Sequence, residues 1–301
     1  IWQVESVKSV KVVTLADNLV YYSRLLGQFG FSAFIEVIDK DGAVCHIIFD
    51  TGSNKRGLLH NIKALKTSLS SLEFIVLSHG HYDHTSATVE LIRKSQRKVK
   101  VLVHPYAFLP KFIIRKKRRE YHGIPNGERE IDIEKAGGQI IEVTKPTEIV
   151  PGVITSGEIK RSNPFEKITW KAKTIIEGKQ VQEKVLEDQA IFINIRKHGL
   201  LAVVGCAHAG IINTLDHALA VTGVKKLYGF TGGTHLIRPK EHRLNETIKR
   251  LKEYDLKLMA PSHCTGYKSM TVLNQTFPDE FVLNYAGRTI DTSKKLKDKI
   301  F

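Results

Sequence analysis

The segment that most constrains this chain is residues 78–85, which read SHGHYDHT. It contains three histidines and one aspartate, and it directly follows the apolar run 74–77, which has the pattern of a buried β-strand. Alternate side chains of an extended loop point the same way, so His79 and His81 can bind one metal ion. Asp83 and the histidine after it would then face a second ion. A polar surface loop is the simple alternative, but this spacing favours a metal site.

The chain of 301 residues is long enough for one large domain or two small ones. It has no apolar stretch that could span a membrane, and its first residues do not resemble a signal peptide. Three cysteines, at positions 45, 206 and 264, do not form a disulfide framework. These features predict a cytoplasmic protein without a membrane partner, although a start without Met leaves a trimmed leader as an alternative.

The net charge of +15 predicts a positive field that attracts anions. We therefore expect an anionic small-molecule substrate. Nucleic acid is the less favoured partner, because aromatic residues that could stack on bases are not interleaved with the charges. Dense charge with only two methionines is also typical of thermophilic proteins, in which much of the excess is solvated surface. The sequence does not indicate an oligomeric state.

Apolar periodicity predicts strands and helices along most of the chain. Strands are expected at 9–14, 31–38, 44–49, 74–77, 99–103, 139–143, 153–155, 190–196, 200–204, 225–230 and 257–260. Helices are expected at 58–65, 85–93, 111–119, 211–221 and 240–254. Each half begins with antiparallel strands and continues with β/α alternation. We therefore predict an α/β fold of two facing sheets with outer helices, in one domain over 1–301.

Two segments interrupt this pattern. Residues 105–136 include the very basic stretch at 111–119, which is either a lid over the site or a solvated helix face. Residues 157–188 form a polar excursion without a core pattern, for which a hairpin on the rim is the simple interpretation. The candidate contacts for a substrate anion in these segments are Arg115, Arg119, His122, Lys160 and Arg161.

Three later strands each end in a turn that carries a histidine, at His208, His235 and His263. Ligands of α/β folds gather at strand ends, so these side chains are expected at the same edge as the 78–85 loop. His104 also ends a predicted strand, but a proline follows it. We expect His104 to be structural rather than a ligand.

The 78–85 pattern is similar to the His-x-His-x-Asp-His motif of the metallo-β-lactamase superfamily. Four further segments extend the resemblance to the subgroup of archaeal 7,8-dihydropterin-6-methyl-4-(β-D-ribofuranosyl)aminobenzene 5′-phosphate synthases: 49–52, 205–210, 232–236 and 262–266. The resemblance covers most of the chain. It implies a four-layer αβ/βα sandwich and two divalent metal ions. We expect zinc, with iron, nickel, cobalt or manganese as alternatives.

The resemblance also implies a distribution of ligands between the two ions. The first ion would be bound by His79, His81 and His208, and the second by Asp83, His84 and His263. Each ion keeps an open position, as a catalytic site requires. Asp83 would also accept a proton, and His235, which the pattern leaves unassigned, would stabilise developing negative charge. Asp50 would hydrogen-bond the metal loop and orient its ligands.

Cys206 is a departure from this pattern. Many members of the superfamily have an aspartate at this place, and its carboxylate bridges the two metals. No replacement aspartate lies nearby in the sequence. The alternatives are a thiolate ligand and an unreactive buried thiol. We expect the second, since free cysteine is commonly buried.

Paired metals that activate water at neutral pH predict a hydrolase of anionic small molecules, with phosphodiesters or related phosphoesters as the first expected substrates. The subgroup favours an alternative, a synthase-type transfer that joins a pterin to a phosphorylated ribofuranosyl-aminobenzene. A nucleic-acid-binding protein with a basic face is an alternative of another class. The motifs are specific for fold and metals but only weakly specific for substrate.

Overall fold

The computed structural model describes residues 4–115, 118–168 and 172–294. The strands in chain order are β1 (Ser9–Ala16), β2 (Ser32–Ile38), β3 (Val44–Phe49), β4 (Leu72–Val76), β5 (Lys100–Val103), β6 (Lys111–Arg115), β7 (Arg118–Tyr121), β8 (Gln139–Glu142), β9 (Thr147–Val150), β10 (Val153–Thr155), β11 (Ala172–Ile176), β12 (Lys179–Gln182), β13 (Ala190–Ile195), β14 (Gly199–Val204), β15 (Leu227–Gly233), β16 (Leu258–Ser262) and β17 (Thr289–Asp291). The helices are α1 (Lys55–Ala64), α2 (Tyr82–Thr85), α3 (Thr88–Lys94), α4 (Glu130–Lys135), α5 (Ile211–Thr222), α6 (Glu241–Glu253) and α7 (Tyr267–Thr276).

Two large sheets contain most of the strands. The first has the order β17-β1-β2-β3-β4-β5-β8, and the second has the order β16-β15-β14-β13-β10-β9. In the first sheet, β1, β2 and β3 pair antiparallel, whereas β3, β4, β5 and β8 pair parallel. The second sheet repeats the plan, with antiparallel β10, β13 and β14 followed by parallel β14, β15 and β16. The predicted similarity of the two halves is therefore present in the strand pairing.

The core lies in three layers of apolar side chains. One cluster joins the facing sheets, with Ile35 of β2 and Leu201 of β14 among its members. A second packs α1 and α3 on the outer face of the first sheet, and a third packs α5 and α6 on the outer face of the second. All six residues of β14 are buried, as expected for a strand covered on both faces. This arrangement confirms the predicted αβ/βα sandwich, and the shared core supports our proposal of a single domain.

A third sheet, which we call the side sheet, has the order β12-β11-β6-β7. The prediction of a helix at 111–119 was wrong, because this stretch forms the hairpin of β6 and β7, in which Arg115 pairs with Arg118. Aromatic and β-branched residues favour strands, and Phe112 lies across from Tyr121 with ring centroids 5.6 Å apart. Residues 116 and 117 of the basic stretch lie outside the described part. The hairpin expected in the polar excursion is present as β11 and β12, and it pairs with β6.

Near the 78–85 motif, the observed elements differ only slightly from the predicted ones. The helix expected at 85–93 is instead two helices, since α2 already includes Asp83 and α3 begins at Thr88. His104 accepts a hydrogen bond from the Tyr106 amide at 3.0 Å and caps a short 3₁₀ turn, so it has a structural contact away from the motif. Within the described residues, no helix is both long enough and apolar enough to cross a bilayer.

Candidate metal centre

The potential metal ligands of both halves of the chain lie together at one edge of the two facing sheets. His79 lies at the centre, with ring centroids 4.5 Å from His81, 4.3 Å from His84 and 4.7 Å from His208. The His84 ring lies 5.1 Å from that of His263. The structure therefore brings together the histidines that the resemblance assigned to the two ions, although they come from distant parts of the chain.

Asp83 lies among the histidines of the predicted second position. Its Oδ2 atom is 3.4 Å from His263 Nε2 and 3.8 Å from His84 Nε2. Its Oδ1 atom is buried and has no hydrogen-bond partner among the described residues. A buried carboxylate oxygen without a donor is costly unless a cation or another donor approaches it. Asp83 thus fits the metal-binding role that the motif predicted.

Asp50 holds the metal loop by three hydrogen bonds. It accepts bonds from the Ser78 amide at 2.7 Å, from Ser78 Oγ at 2.7 Å and from His84 Nδ1 at 2.6 Å. Ser78 Oγ in turn lies 2.8 Å from His79 Nδ1. Since Ser78 already donates to Asp50, it accepts from His79. Asp50 therefore orients the His84 ring directly and the His79 ring through Ser78, and its role in a metal site stays a prediction.

Two further histidines of the cluster, His81 and His263, also have one ring nitrogen in a side-chain hydrogen bond. His81 Nε2 lies 3.0 Å from Glu183 Oε1, and His263 Nδ1 lies 2.9 Å from Asn18 Oδ1. In His81, a donating N–H fixes the tautomer in which the other nitrogen has a lone pair. His263 must in addition lose the proton that Asp83 stabilises before its Nε2 can bind a metal. His79 Nε2 is buried with no hydrogen-bond partner among the described residues. Imidazoles that present lone pairs to one buried point fit a divalent cation.

Backbone strain concentrates at the strand ends that form this edge. Four residues other than glycine have positive φ there, with values of 59° at Asp50, 48° at Ala207, 50° at His235 and 48° at His263. Such conformations are unfavourable for residues with a Cβ and cluster at functional sites. Gly80 allows the metal loop to pack closely at this edge, because a Cβ at this position would collide with the Ala107 backbone.

The electrostatics of the two predicted positions differ. Burial lowers the pKa of His79, His81 and His208, and the charges of neighbouring histidines add to this effect. Burial would raise the pKa of Asp83, but the charges of His84 and His263 hold it below its ordinary value. Burial lowers the pKa of His263, but the hydrogen bond to Asp83 and nearby negative charges raise it to about 9. Asp83 and His263 thus form a buried ion pair in the metal-free chain.

His235 and Cys206 both lie close to His208. The His235 ring centroid is 4.4 Å from that of His208, so this histidine borders the cluster as expected. Cys206 is buried, and its Sγ atom lies 3.2 Å from His84 Nε2. Burial raises the pKa of the Cys206 thiol well above its ordinary value. Both side chains are therefore within the cluster and not merely near it.

The five candidate substrate contacts do not all lie at the histidine cluster. His122 joins the cluster, with its ring centroid 4.4 Å from that of His81. Arg115 is exposed and lies 3.5 Å from Glu120, whereas Arg119 stacks on a phenylalanine of the side sheet. Arg161 donates to the Val185 carbonyl at 2.6 Å, and Lys160 is exposed. Of these five residues, His122 lies against the histidine cluster, whereas the other four contact the side sheet, the polar excursion or solvent.

The sequence analysis missed two residues that hold cluster histidines, Glu183 and Asn18. Glu183 lies in the polar excursion and is buried, and burial raises its pKa to about 8. Asn18 follows Asp17, whose carboxylate accepts the His263 amide at 2.9 Å. No motif marks either residue. Their roles depend on contacts over 102 and 245 positions of sequence, which only the fold reveals.

A family model described as a beta-lactamase superfamily domain matches residues 46–130. Two curated proteins of Methanocaldococcus jannaschii are similar over nearly the whole chain. One is named 7,8-dihydropterin-6-methyl-4-(beta-D-ribofuranosyl)-aminobenzene-5'-phosphate synthase. It is 32% identical over 297 residues, which cover 94% of this chain and 97% of that protein. The other, named only as an uncharacterized protein, is 34% identical over 276 residues, which cover 92% and 98%.

A solved structure gives a similar result for the fold. The chain is similar to Tm1679, described as a metal-dependent hydrolase of the beta-lactamase superfamily, with a TM-score of 0.77. The similarity covers 93% of this chain and 98% of that one, at 22% sequence identity. At this identity the likeness shows a shared fold and does not transfer an activity.

Proposed function

Because the chain belongs to the metallo-β-lactamase superfamily, we propose that its cluster binds two divalent metal ions and that the protein is a metal-dependent enzyme. The proposed ligands of the first ion are His79, His81 and His208, and those of the second are Asp83, His84 and His263. Imidazole and carboxylate ligands with open positions suit zinc, which we propose as the metal.

The observation that carries this proposal is the way in which the imidazoles are held. In four of them, one ring nitrogen is hydrogen-bonded to the side chain of Ser78, Asp50, Glu183 or Asn18. Partners of this kind are typical of metal-binding histidines, since they fix the ring and raise its basicity. A surface loop or a structural histidine cluster would not require so many separate acceptors at one buried edge.

The reaction that we propose is a synthase-type transfer, in which a pterin that carries a leaving group on its 6-methylene carbon is joined to a phosphorylated ribofuranosyl-aminobenzene. The new bond replaces the bond to the leaving group, and the aminobenzene loses one proton. It is supported by the named archaeal relative, whose sequence aligns with this chain over nearly the full length of both. The second relative is about as similar and has no assigned activity, so similarity alone does not decide the reaction. The net charge of +15 favours a phosphorylated substrate.

Hydrolysis of phosphodiesters or related phosphoesters is the second candidate. It is supported by Asp83, whose buried Oδ1 has no hydrogen-bond partner in the described part and can accept a proton from water. When bound, divalent ions lower the pKa of water and polarise the bond that is attacked. We expect His235 to donate to negative charge that develops on the substrate. His122, beside His81, would contact the substrate from the side sheet.

One assay series separates the two candidates. The metal-loaded protein is given a pterin with a leaving group on its 6-methylene carbon together with a phosphorylated ribofuranosyl-aminobenzene, and in parallel phosphodiester, phosphomonoester, lactone and thioester model substrates. We expect joined product, with hydrolysis of the models slow or limited to phosphoesters. His208→Ala should abolish either reaction, whereas His104→Ala, which alters a buried histidine outside the cluster, should retain it. No product and no hydrolysis by well-folded, metal-loaded protein would contradict the proposal.

The remaining sequence-based expectations also stay proposals. We propose a cytoplasmic protein, supported by three free cysteines in the described residues. We propose an anionic small molecule as the partner, ahead of nucleic acid. A thermophilic origin is supported only by the composition.

A further inference from the structure

Cys206 occupies a central position among the potential metal ligands. Four groups of three such residues have ligand atoms within 4.8 Å of one another. Cys206 belongs to a group with His79 and His208, to a second with His84 and His263, and to a third with two other residues. Among the described residues it is the only one that these groups share. Its sulfur therefore lies within reach of both proposed metal positions.

The fold brings this sulfur to the metal loop by close packing of strand ends. A Cβ on Gly205 would collide with Ser78 Oγ and would lie 2.6 Å from Asp50 Oδ2. The end of β14 thus lies directly against the loop that carries the first ligands. Ala207 then has a φ of 48°, a strained conformation between Cys206 and His208. The position of the thiol is imposed by the backbone.

The charge of the proposed ligand set also favours an anionic sulfur. Two divalent cations bring four positive charges into a buried site, but Asp83 is the only anionic member of the six proposed ligands. A further anionic ligand between the two positions would balance more of this positive charge. Cys206 stands at that place, and a thiolate is both an anion and a strong ligand for zinc.

We infer that Cys206, as a thiolate, is a ligand shared by the two metal positions. The inference replaces our expectation of an unreactive buried thiol, and it rests on the proposed metal binding. On binding, the S–H bond is replaced by bonds between sulfur and metal, and one proton leaves to solvent. No electron is transferred, so no oxidant is required.

The other two cysteines provide matched controls. Cys264 is buried beside Cys206, but its sulfur accepts the His235 amide at 3.2 Å and lies 3.6 Å from the Cys206 carbonyl oxygen. Cys264 also belongs to the third group of potential ligands, with Cys206 and His235, so its variant tests the alternative assignment of the thiolate. Cys45 is buried on β3 and belongs to none of the potential ligand groups in the described residues.

The test is the absorption spectrum of the cobalt(II)-loaded protein, since a cobalt–thiolate bond gives a charge-transfer band in the near ultraviolet. We expect this band in the wild type, in Cys264→Ser and in Cys45→Ser, and its loss in Cys206→Ser. Cys206→Ser should also bind the second cobalt ion about 10- to 100-fold more weakly. Cys206→Asp, which supplies a carboxylate, should recover both ions without the band.

The other outcomes distinguish a failure of this inference from a failure of the proposed metal binding. A wild type that binds two cobalt ions without the band, or a band that persists in Cys206→Ser, would overturn the inference while leaving the proposed metal function intact. A band that disappears only in Cys264→Ser would assign the thiolate to the wrong residue. A wild type that binds no cobalt would overturn the proposed function and the inference together.

Discussion

The first half of the chain supplies its candidate ligands from one short segment, residues 79–84, whereas the second half supplies His208 and His263 from two separate strand ends. The segment is held as a unit, because Asp50 and Ser78 link two of its imidazoles by hydrogen bonds. His235 and His263 instead sit at strained positions, each following a different parallel strand. A substitution in the linked segment should therefore disturb several ligands together, whereas a substitution at one strand end should disturb only the ligand there.

The two metal positions differ in charge as well as in origin. The first is made of three imidazoles whose pKa values are lowered by burial. The second contains the ion pair of Asp83 and His263, and His263 must lose its proton before it can bind a metal. We therefore expect the second ion to bind more weakly than the first at neutral pH. The following predictions test this difference in affinity.

The largest effect is expected from removing one ligand of each position. His79→Ala should lose the first ion, whereas His263→Ala should lose the second and retain most of the first. Activity should fall by more than about 100-fold in both variants, beyond the usual effect of residues that only support a ligand. Elemental analysis and activity are the measurements. Equal loss of both ions in the two variants would show that the positions are not separable.

His235→Ala should reduce activity without removing a metal. If His235 stabilises developing negative charge, kcat should fall by about tenfold to a thousandfold while metal content and fold are unchanged. Steady-state kinetics with elemental analysis decide the result. Loss of an ion would make His235 a ligand, and a normal kcat would make it structural.

Glu183→Gln should weaken the first ion specifically, because it replaces the carboxylate that holds His81. We expect a loss of about 10- to 100-fold in affinity for that ion. Glu158→Gln is a control outside the potential ligand groups. The Glu158 carboxylate lies 3.1 Å from His104 Nε2 and is half exposed, whereas Glu183 is buried. Competition with a chelator measures both affinities. Equal behaviour of the two variants would remove the role given to Glu183.

The smallest effect is expected in the side sheet. Replacing Arg115 and Arg119 by Gln should raise KM for charged substrates by about two- to tenfold and flatten its salt dependence, if these residues attract the anion. Neutral lactones should be unaffected. Both arginines already have partners in the side sheet, so unchanged kinetics for the phosphorylated substrate would assign them to a solvated surface.

The same contrast explains what the sequence could predict. The segment at 79–84 is visible because its ligands are adjacent, and the sandwich is visible because its buried strands are strongly apolar. His208 and His263 were assigned to ions only by resemblance to a family. Glu183 and Asn18 were missed, since long-range packing alone brings them to the histidines.

The error at 111–119 has a different physical cause. Lysine and arginine favour helices on their own, and the basic run was interpreted in that way. Pairing of β6 with β7 and β11 overrides this preference, because Phe112 packs against Tyr121 and beneath Arg119. Lys111, at the start of the run, is fully buried and bonds to Glu187 at 3.0 Å. Local propensity could not predict this tertiary contact.

The most direct test of the central claim is a metal titration of the metal-free wild type, followed by calorimetry between about pH 6 and pH 8. We predict two ions per chain in two steps of unequal affinity. Because the pKa of His263 is raised to about 9, the weaker step should strengthen by about tenfold for each unit of rising pH in this range, and by about a hundredfold when Cys206 releases its proton in the same step. Fewer than about one ion per two chains, or a second step that does not change with pH, would contradict the account.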